Sequence, residues 1–276
     1  TFNAKVLFLI IFLLIFSSSS EAALQIGVVL GGGAARGFSH IGLIQVLEEN
    51  GVPIDLLVGT SMGSIIASLY ANGYSVENMK EIFAALDLAQ VVDLSLPPRG
   101  GFVDASRLRD YLDTLLGHKT FDQLDTPFYS VITNVRTGEE VALNEGLVSV
   151  GVQASIAMPG VFPPVPIDGH YYIDGGMKNA VPVNVAKDKG ADVIIAVDVK
   201  KDLETIDYDN VFTNLQLSLW FMVEGYIQRH INMADVVIVP EVKYDSYMDY
   251  QRIDFFINEG YIAGLAHIDQ IKEAIL

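Results

Sequence analysis

The sequence predicts a layered α/β domain, and three observations carry that prediction. Short β-rich runs alternate with helical stretches from Ala23 onward. The runs IGVVL, VIIAVDV and VVIVP are almost continuously apolar, as strands covered on both faces must be. The stretches between them repeat apolar residues at helical spacing. With 276 residues the chain is long enough for one such domain and a substantial core. No internal repeat or low-complexity linker interrupts residues 23–276, which reads as a single domain.

In chain order, the expected strands are Leu24–Leu30, Ile54–Gly59, Phe128–Asn134, Glu140–Leu143, Tyr171–Asp174, Val193–Val199 and Val236–Pro240. A helix is expected over Phe38–Asn50, where Phe38, Ile41, Ile44 and Leu47 share a face and Gly51 and Pro53 stop it. Further helices are expected over Ser64–Asn72, Val76–Leu86 and Ala105–Leu116, the last with Asp104 as its N-cap. The apolar segment Asn210–Met233 offers a lid or a homodimer face. Tyr244, Tyr247, Tyr250, Phe255 and Phe256 form a second aromatic cluster. Core packing is the plainer reading of both.

Before this domain, Lys5 precedes an apolar run from Val6 to Phe16, then serines, then Glu21-Ala22-Ala23. That is the order of a signal peptide over residues 1–22, cut after Ala22 to give an exported periplasmic or extracellular protein. Retained, the same segment would be a membrane anchor, although its run falls short of the ~20 apolar residues a spanning helix needs. The formal charge of −17 repels nucleic acid. It gives no help on an anionic bilayer either, so contact with lipid should be apolar and local. With no cysteine there is no disulfide, no thiol nucleophile and no thiolate metal site.

Chemistry concentrates in three places. Gly59-Thr60-Ser61-Met62-Gly63 lies between the run IDLLV and the helical stretch SIIASLYANG, the context of a nucleophile elbow that exposes a serine hydroxyl at a strand's end. Gly31-Gly32-Gly33-Ala34-Ala35-Arg36-Gly37 follows IGVVL and opens a helix, so its amides can face a phosphate or an oxyanion. Phe38 stands where a P-loop needs lysine, and Arg36 where a dinucleotide fingerprint needs glycine. Asp55 has the ribose-acid spacing but opens its strand rather than ending it. Arg36 is read as holding the loop in shape. Asp174-Gly175-Gly176 ends the run YYI; alone it would be a tight turn. Serine needs a base, however. Asp174 could serve directly, or His230 or His267 could complete a Ser…Asp…His order, though neither ends a strand.

These three motifs, in this order, resemble the patatin-like phospholipases, above all their bacterial branch. The blocks ARGFSHIGLIQVLEENG, GTSMGSIIASLYANG, ASIAMPGVFPPV, YYIDGGMKNAVPVNVAKDKGADVIIAVDV and ADVVIVP extend the likeness over nearly all of the chain after the leader. The resemblance implies a three-layer α/β/α fold with a mostly parallel central sheet. It implies a dyad without a catalytic histidine, with Ser61 as nucleophile and Asp174 as base. The backbone of Gly31, Gly32, Gly33 and Ala34 would form the oxyanion hole. Arg36, Gly37, Gly59, Gly63, Gly175 and Gly176 would support the motifs. No cofactor or metal is implied. The substrate would be a phospholipid or other lipid ester, met transiently at a membrane or micelle surface. The elbow by itself does not choose the acyl group, so thioesters and peptides stay open, as does an idle binding protein on the same fold. Two positions depart from the family pattern: Asn134 stands where Asp is common, and Ala180 where a second Asn often follows Asn179.

Overall fold

The computed structural model describes residues 24–87, 91, 93–95, 100–199, 209, 211–242 and 250–276. The expected leader at 1–22 lies outside them, as do Tyr244 and Tyr247. Ten strands are described: β1 (Ile26–Leu30), β2 (Leu56–Thr60), β3 (Asp93–Leu94), β4 (Val103–Asp104), β5 (Phe128–Asn134), β6 (Glu140–Leu143), β7 (Val165–Ile167), β8 (His170–Asp174), β9 (Val193–Val197) and β10 (Val236–Ile238). Around them lie α1 (Ser39–Glu49), α2 (Met62–Ala71), α3 (Val76–Ala85), α4 (Ser106–Leu115), α5 (Val148–Ser155), α6 (Val183–Asp188), α7 (Val211–His230) and α8 (Ile253–Ile275).

Eight strands form one sheet along the path β10-β9-β1-β2-β5-β8-β7, with β6 also on β5; β3 and β4 make a separate hairpin. The pairs from β10 through β5 are parallel, and β6, β7 and β8 join antiparallel. Alternate residues of the parallel strands feed two cores. Val28, Leu30, Leu57 and Ile195 pack beneath α1, α2, α3 and α8. Val29, Val58, Ile194 and Ala196 pack with α6 and with Val223 and Ile227 of α7. The result is three layers, helices on both faces of a mostly parallel sheet.

The registers on β5 position the site. β2 and β6 both pair with Ser130 and Val131, so they occupy opposite edges of β5. β8 and β6 both pair with Ile132 and Thr133, so β8 shares the edge that β2 occupies. Thr60 ends β2 opposite Val131, and Asp174 ends β8 opposite Ile132. Two strands running toward each other therefore stop head to head.

Several expectations shift. The first turn before α1 is a 3-10 helix over Ala34–Phe38. α4 begins one residue later than expected, so its N-cap is Ala105, and the Asp104 carboxylate, one position before the cap, receives the Ser106 N–H at 2.8 Å. Tyr250 and Phe256 belong to the main core, where Phe38 meets Tyr250 edge-on at 5.9 Å. The apolar segment divides: Leu217, Val223 and Ile227 of α7 are buried, while Leu215, Phe221 and Met222 are exposed. The side chains of Phe212, Leu219 and Trp220 lie outside the described residues. Among the described residues no helix is long and apolar enough to cross a membrane.

Candidate active site

At the end of β2 the backbone turns through Ser61 at φ +54° and ψ −124°. A non-glycine residue there is strained, typically by about 1–3 kcal/mol, and holds only where its surroundings over-determine it. The turn also needs bare backbone on either side. A Cβ on Gly59 would lie 2.6 Å from Gly63 O, and one on Gly63 would collide with Leu30 O. The side chain thus emerges at the N-terminus of α2, whose dipole favours negative charge beside it.

Ser61 Oγ donates to Asp174 Oδ2 at 2.8 Å, and the Gly176 N–H donates to Asp174 Oδ1 at 2.7 Å. Gly175 lies so close to β5 that a Cβ on it would strike Val131 O. Asp174 is 3% exposed. Burial raises its pKa to about 6, against the lowering pull of the bonds from Gly176 and Ser61. Among the described residues no charged side chain, Arg36 included, offsets the burial.

A second Ser–Asp pair in the same chain provides a control. Ser149 Oγ donates to Asp113 Oδ1 at 2.7 Å, while His118 Nδ1 meets the other oxygen of that carboxylate. Desolvation pulls Asp113 up, but the bonds from Ser149 and His118 outweigh it and hold its pKa below the ordinary value. Asp113 is a weak base that ties the end of α4 to the start of α5. Contact alone does not separate the two pairs; the deeper burial of Asp174 and the His118 and Arg109 charges beside Asp113 do.

The glycine loop packs against Ser61, and a Cβ on Gly32 would sit 3.2 Å from Ser61 Cβ. Its amides divide sharply. Gly31 N–H donates to Val197 O at 3.1 Å and Gly32 N–H to Ala180 O at 2.8 Å. Those two amides are spent on the fold and have no proton left for an oxyanion, which narrows the four-residue expectation. Gly33 N–H and Ala34 N–H, at the open start of the 3-10 turn, make no backbone hydrogen bond among the described residues. A Cβ on Gly33 would run into Val199, and one on Gly37 would lie 2.5 Å from Met62 Cγ.

Beneath the loop, buried Arg36 donates from Nε to Gly33 O at 3.4 Å. Desolvation brings its pKa down to about 10 despite the opposing charge of Asp198. His40 is fully buried with Nε2 2.7 Å from Gly31 O, and burial pushes it down to about 4. It is therefore neutral near pH 7, with Nε2 as the protonated donor, and it ties the loop. His230 and His267 bond to the carbonyls of Tyr226 and Ala263 in their own helices. None of the hydrogen bonds of the five histidines reaches Ser61 or Asp174.

The two departures are locally satisfied. Asn134 Oδ1 accepts the N–H groups of Arg136 and Thr137, the bonds an aspartate would accept in that turn. Ala180 contributes its carbonyl, which needs no particular side chain. Asn179 is buried, and with Asn184 it donates to Glu140. Asp55 accepts the Ile26 N–H at the amino end of the sheet, away from the site.

Sequence reasoning missed Ser155. Its Oγ receives the Ser61 N–H at 2.9 Å and donates to Val131 O at 2.7 Å. It lies within the block ASIAMPG, but no spacing marks it, because its partners are set by the register of distant strands.

The family model for patatin-like phospholipase matches residues 28–187. Human patatin-like phospholipase domain-containing protein 6 is 35% identical over 228 residues, which are 79% of this chain and 16% of that protein. An uncharacterized NTE family protein of Mycobacterium bovis is 31% identical over 175 residues, 63% of this chain and 48% of its own length. This chain thus spans less than half of the curated relatives it matches. Among solved structures, VipD from Legionella pneumophila superposes with a TM-score of 0.60 at 16% identity, over 90% of this chain and 67% of that one. The type III effector ExoU superposes with a TM-score of 0.52 at 13% identity, over 92% and 53%. These two likenesses speak for the fold. The family model covers more than half of the sequence and includes all three motifs, so the chain belongs to the patatin-like phospholipase family.

Proposed function

We propose that this protein is a serine hydrolase of lipid carboxylic esters, with Ser61 as nucleophile and Asp174 as base. The observation that carries the reading is the 2.8 Å bond from Ser61 Oγ to a carboxylate that burial has made a better base. In the proposed reaction Asp174 takes the Ser61 proton as Oγ attacks the ester carbonyl. The alkoxide that forms meets the Gly33 and Ala34 amides and the positive end of α2. Asp174 then passes the proton to the leaving alcohol, and the acyl group stays on Ser61. Water, deprotonated by the same carboxylate, attacks the acyl carbon, and Asp174 returns that proton to Ser61 Oγ as the bond to Ser61 breaks and the fatty acid leaves.

The names of the relatives support a phospholipid or lysophospholipid as substrate. Exposed Phe102 donates its own N–H to Gly160 O in the loop after α5, and exposed Phe221 and Met222 lie on α7. They support local, apolar contact with a lipid surface on a molecule of charge −17. Export by the Lys5–Ala22 leader is part of the same proposal; N-terminal sequencing of the secreted chain should find Ala23 first.

The direct test is a double-mutant cycle on a short-chain ester. Ser61→Ala and Asp174→Asn should each remove nearly all turnover, and the double variant should be hardly worse than either. In the wild type, kcat/KM should fall below about pH 6 as Asp174 takes up a proton. Substantial activity in folded Asp174→Asn would sink the dyad.

A further inference from the structure

Resting on that reading of Ser61, we infer that Ser155 is a positioning residue whose hydroxyl replaces the last rung of the β2–β5 ladder and so creates the elbow. Leu57 N–H donates to Pro127 O at 2.9 Å in the parallel register Leu57↔Phe128 to Thr60↔Val131. Rungs of one direction recur every two residues along a parallel pair. After Leu57 to Pro127 come Gly59 to Tyr129 and then Ser61 to Val131. At that third rung the two backbone groups do not meet. The Ser155 hydroxyl stands between them, accepting from Ser61 N–H at 2.9 Å and donating to Val131 O at 2.7 Å.

Inserting one hydroxyl spreads the strands by about one hydrogen-bond length at the point where the chain must leave the sheet. It satisfies an amide and a carbonyl that the departure would otherwise strand, each at a cost of about 1–3 kcal/mol when buried. It also anchors Ser61 in its positive-φ conformation. Two residues further on, Ala157 O accepts the Asp174 N–H at 3.0 Å. One short segment therefore holds the backbone of both dyad members, and with it the separation of Oγ from the carboxylate.

A neighbouring relay supplies the comparison. Ser64 Oγ and Ser130 Oγ are 2.7 Å apart, and Ser130 Oγ donates to Gly151 O at 3.1 Å, one turn earlier on α5. Ser130 is as buried as Ser155 and does not bond to Ser61.

The experiment measures the second-order rate at which a fluorophosphonate labels Ser61, together with kcat and KM, in wild type, Ser155→Ala and Ser130→Ala, each corrected for folded fraction. Ser155→Ala should lower labelling and kcat on the order of 10-fold to 100-fold with KM nearly unchanged, the signature of a misplaced reacting group. Ser130→Ala should lose stability and keep its labelling rate. Equal rates in wild type and Ser155→Ala, or equal losses in both variants, would overturn the inference. Native-state amide exchange in the wild type covers the case in which Ser155→Ala does not fold: the Ser61 amide should be protected, and fast exchange there refutes the surrogate rung. Wild-type protein that is never labelled at Ser61 would instead remove the dyad reading.

Discussion

At the scale of single residues, the proposed role of Asp174 as base and the stability of the fold pull in opposite directions. Its pKa rises from 3.8 in the unfolded chain to about 6 in the fold, because burial penalises the charge. Below pH 3.8 both states hold the proton and the group adds its full stability. As pH climbs through 6, the folded chain is left with a buried carboxylate that would be better hydrated unfolded, so that stability is lost. Near pH 7 the ionised Asp174 carboxylate costs up to about 3 kcal/mol, at 1.36 kcal/mol per pKa unit. Asp174→Asn should therefore unfold at a higher temperature than wild type at pH 7, although the proposed dyad requires it to be inactive. The gain should shrink away near pH 4. Calorimetry at the two pH values checks this; a variant less stable than wild type at pH 7 would mean that the carboxylate is well solvated. Asp113, which makes the same kind of serine contact under an opposite pKa shift, should give no such gain.

At the scale of elements, two helix backbones touch behind the site, where α1 crosses α8. A Cβ on Gly42 would strike Ile257 O, and a Cβ on Gly260 would strike Ser39 O, so the two backbones touch. This crossing seats the helix that begins immediately after the glycine loop. Gly42→Val should destabilise the fold by about 3 kcal/mol, the upper range for overpacking, read as a lower urea midpoint at unchanged slope. These glycines also explain what the sequence concealed. Gly260 and Gly264 each weaken helix propensity by about 1 kcal/mol, and α8 escaped notice except as an aromatic cluster. α5, with the sequence VSVGVQAS, is β-branched and glycine-containing; it is helical because Val148 and Val152 are buried in the main core and Ala154 in the small cluster with Ile132. Strands β5 and β6 read correctly to the residue, since Gly138 and the Asn134 turn bound them sharply. The three motifs were legible because each needs particular residue types at a strand's end. The division of labour among the loop amides was not, because Val197 and Ala180 reach Gly31 and Gly32 only in the folded chain.

At the scale of the molecule, two strands stop head to head on one edge of β5, and this sets the order in which chemistry can appear. Ser61 and Asp174 are 113 residues apart in the chain. A chain still emerging from synthesis can pair β1 with β2 and bring Ser61 to a strand's end while Ser155, inferred to complete the elbow, and Asp174, the proposed base, are not yet made. Contacts of such long separation also form late when a denatured chain refolds, since their loop-closure entropy must be met first. Helices form sooner, in microseconds. Reactivity toward a fluorophosphonate should therefore lag behind the recovery of helical circular dichroism during refolding, and simultaneous recovery would contradict that order. If Asp174 is the base, as proposed, a chain whose β8 has not yet docked cannot hydrolyse an ester, and reactivity is withheld until the fold is complete.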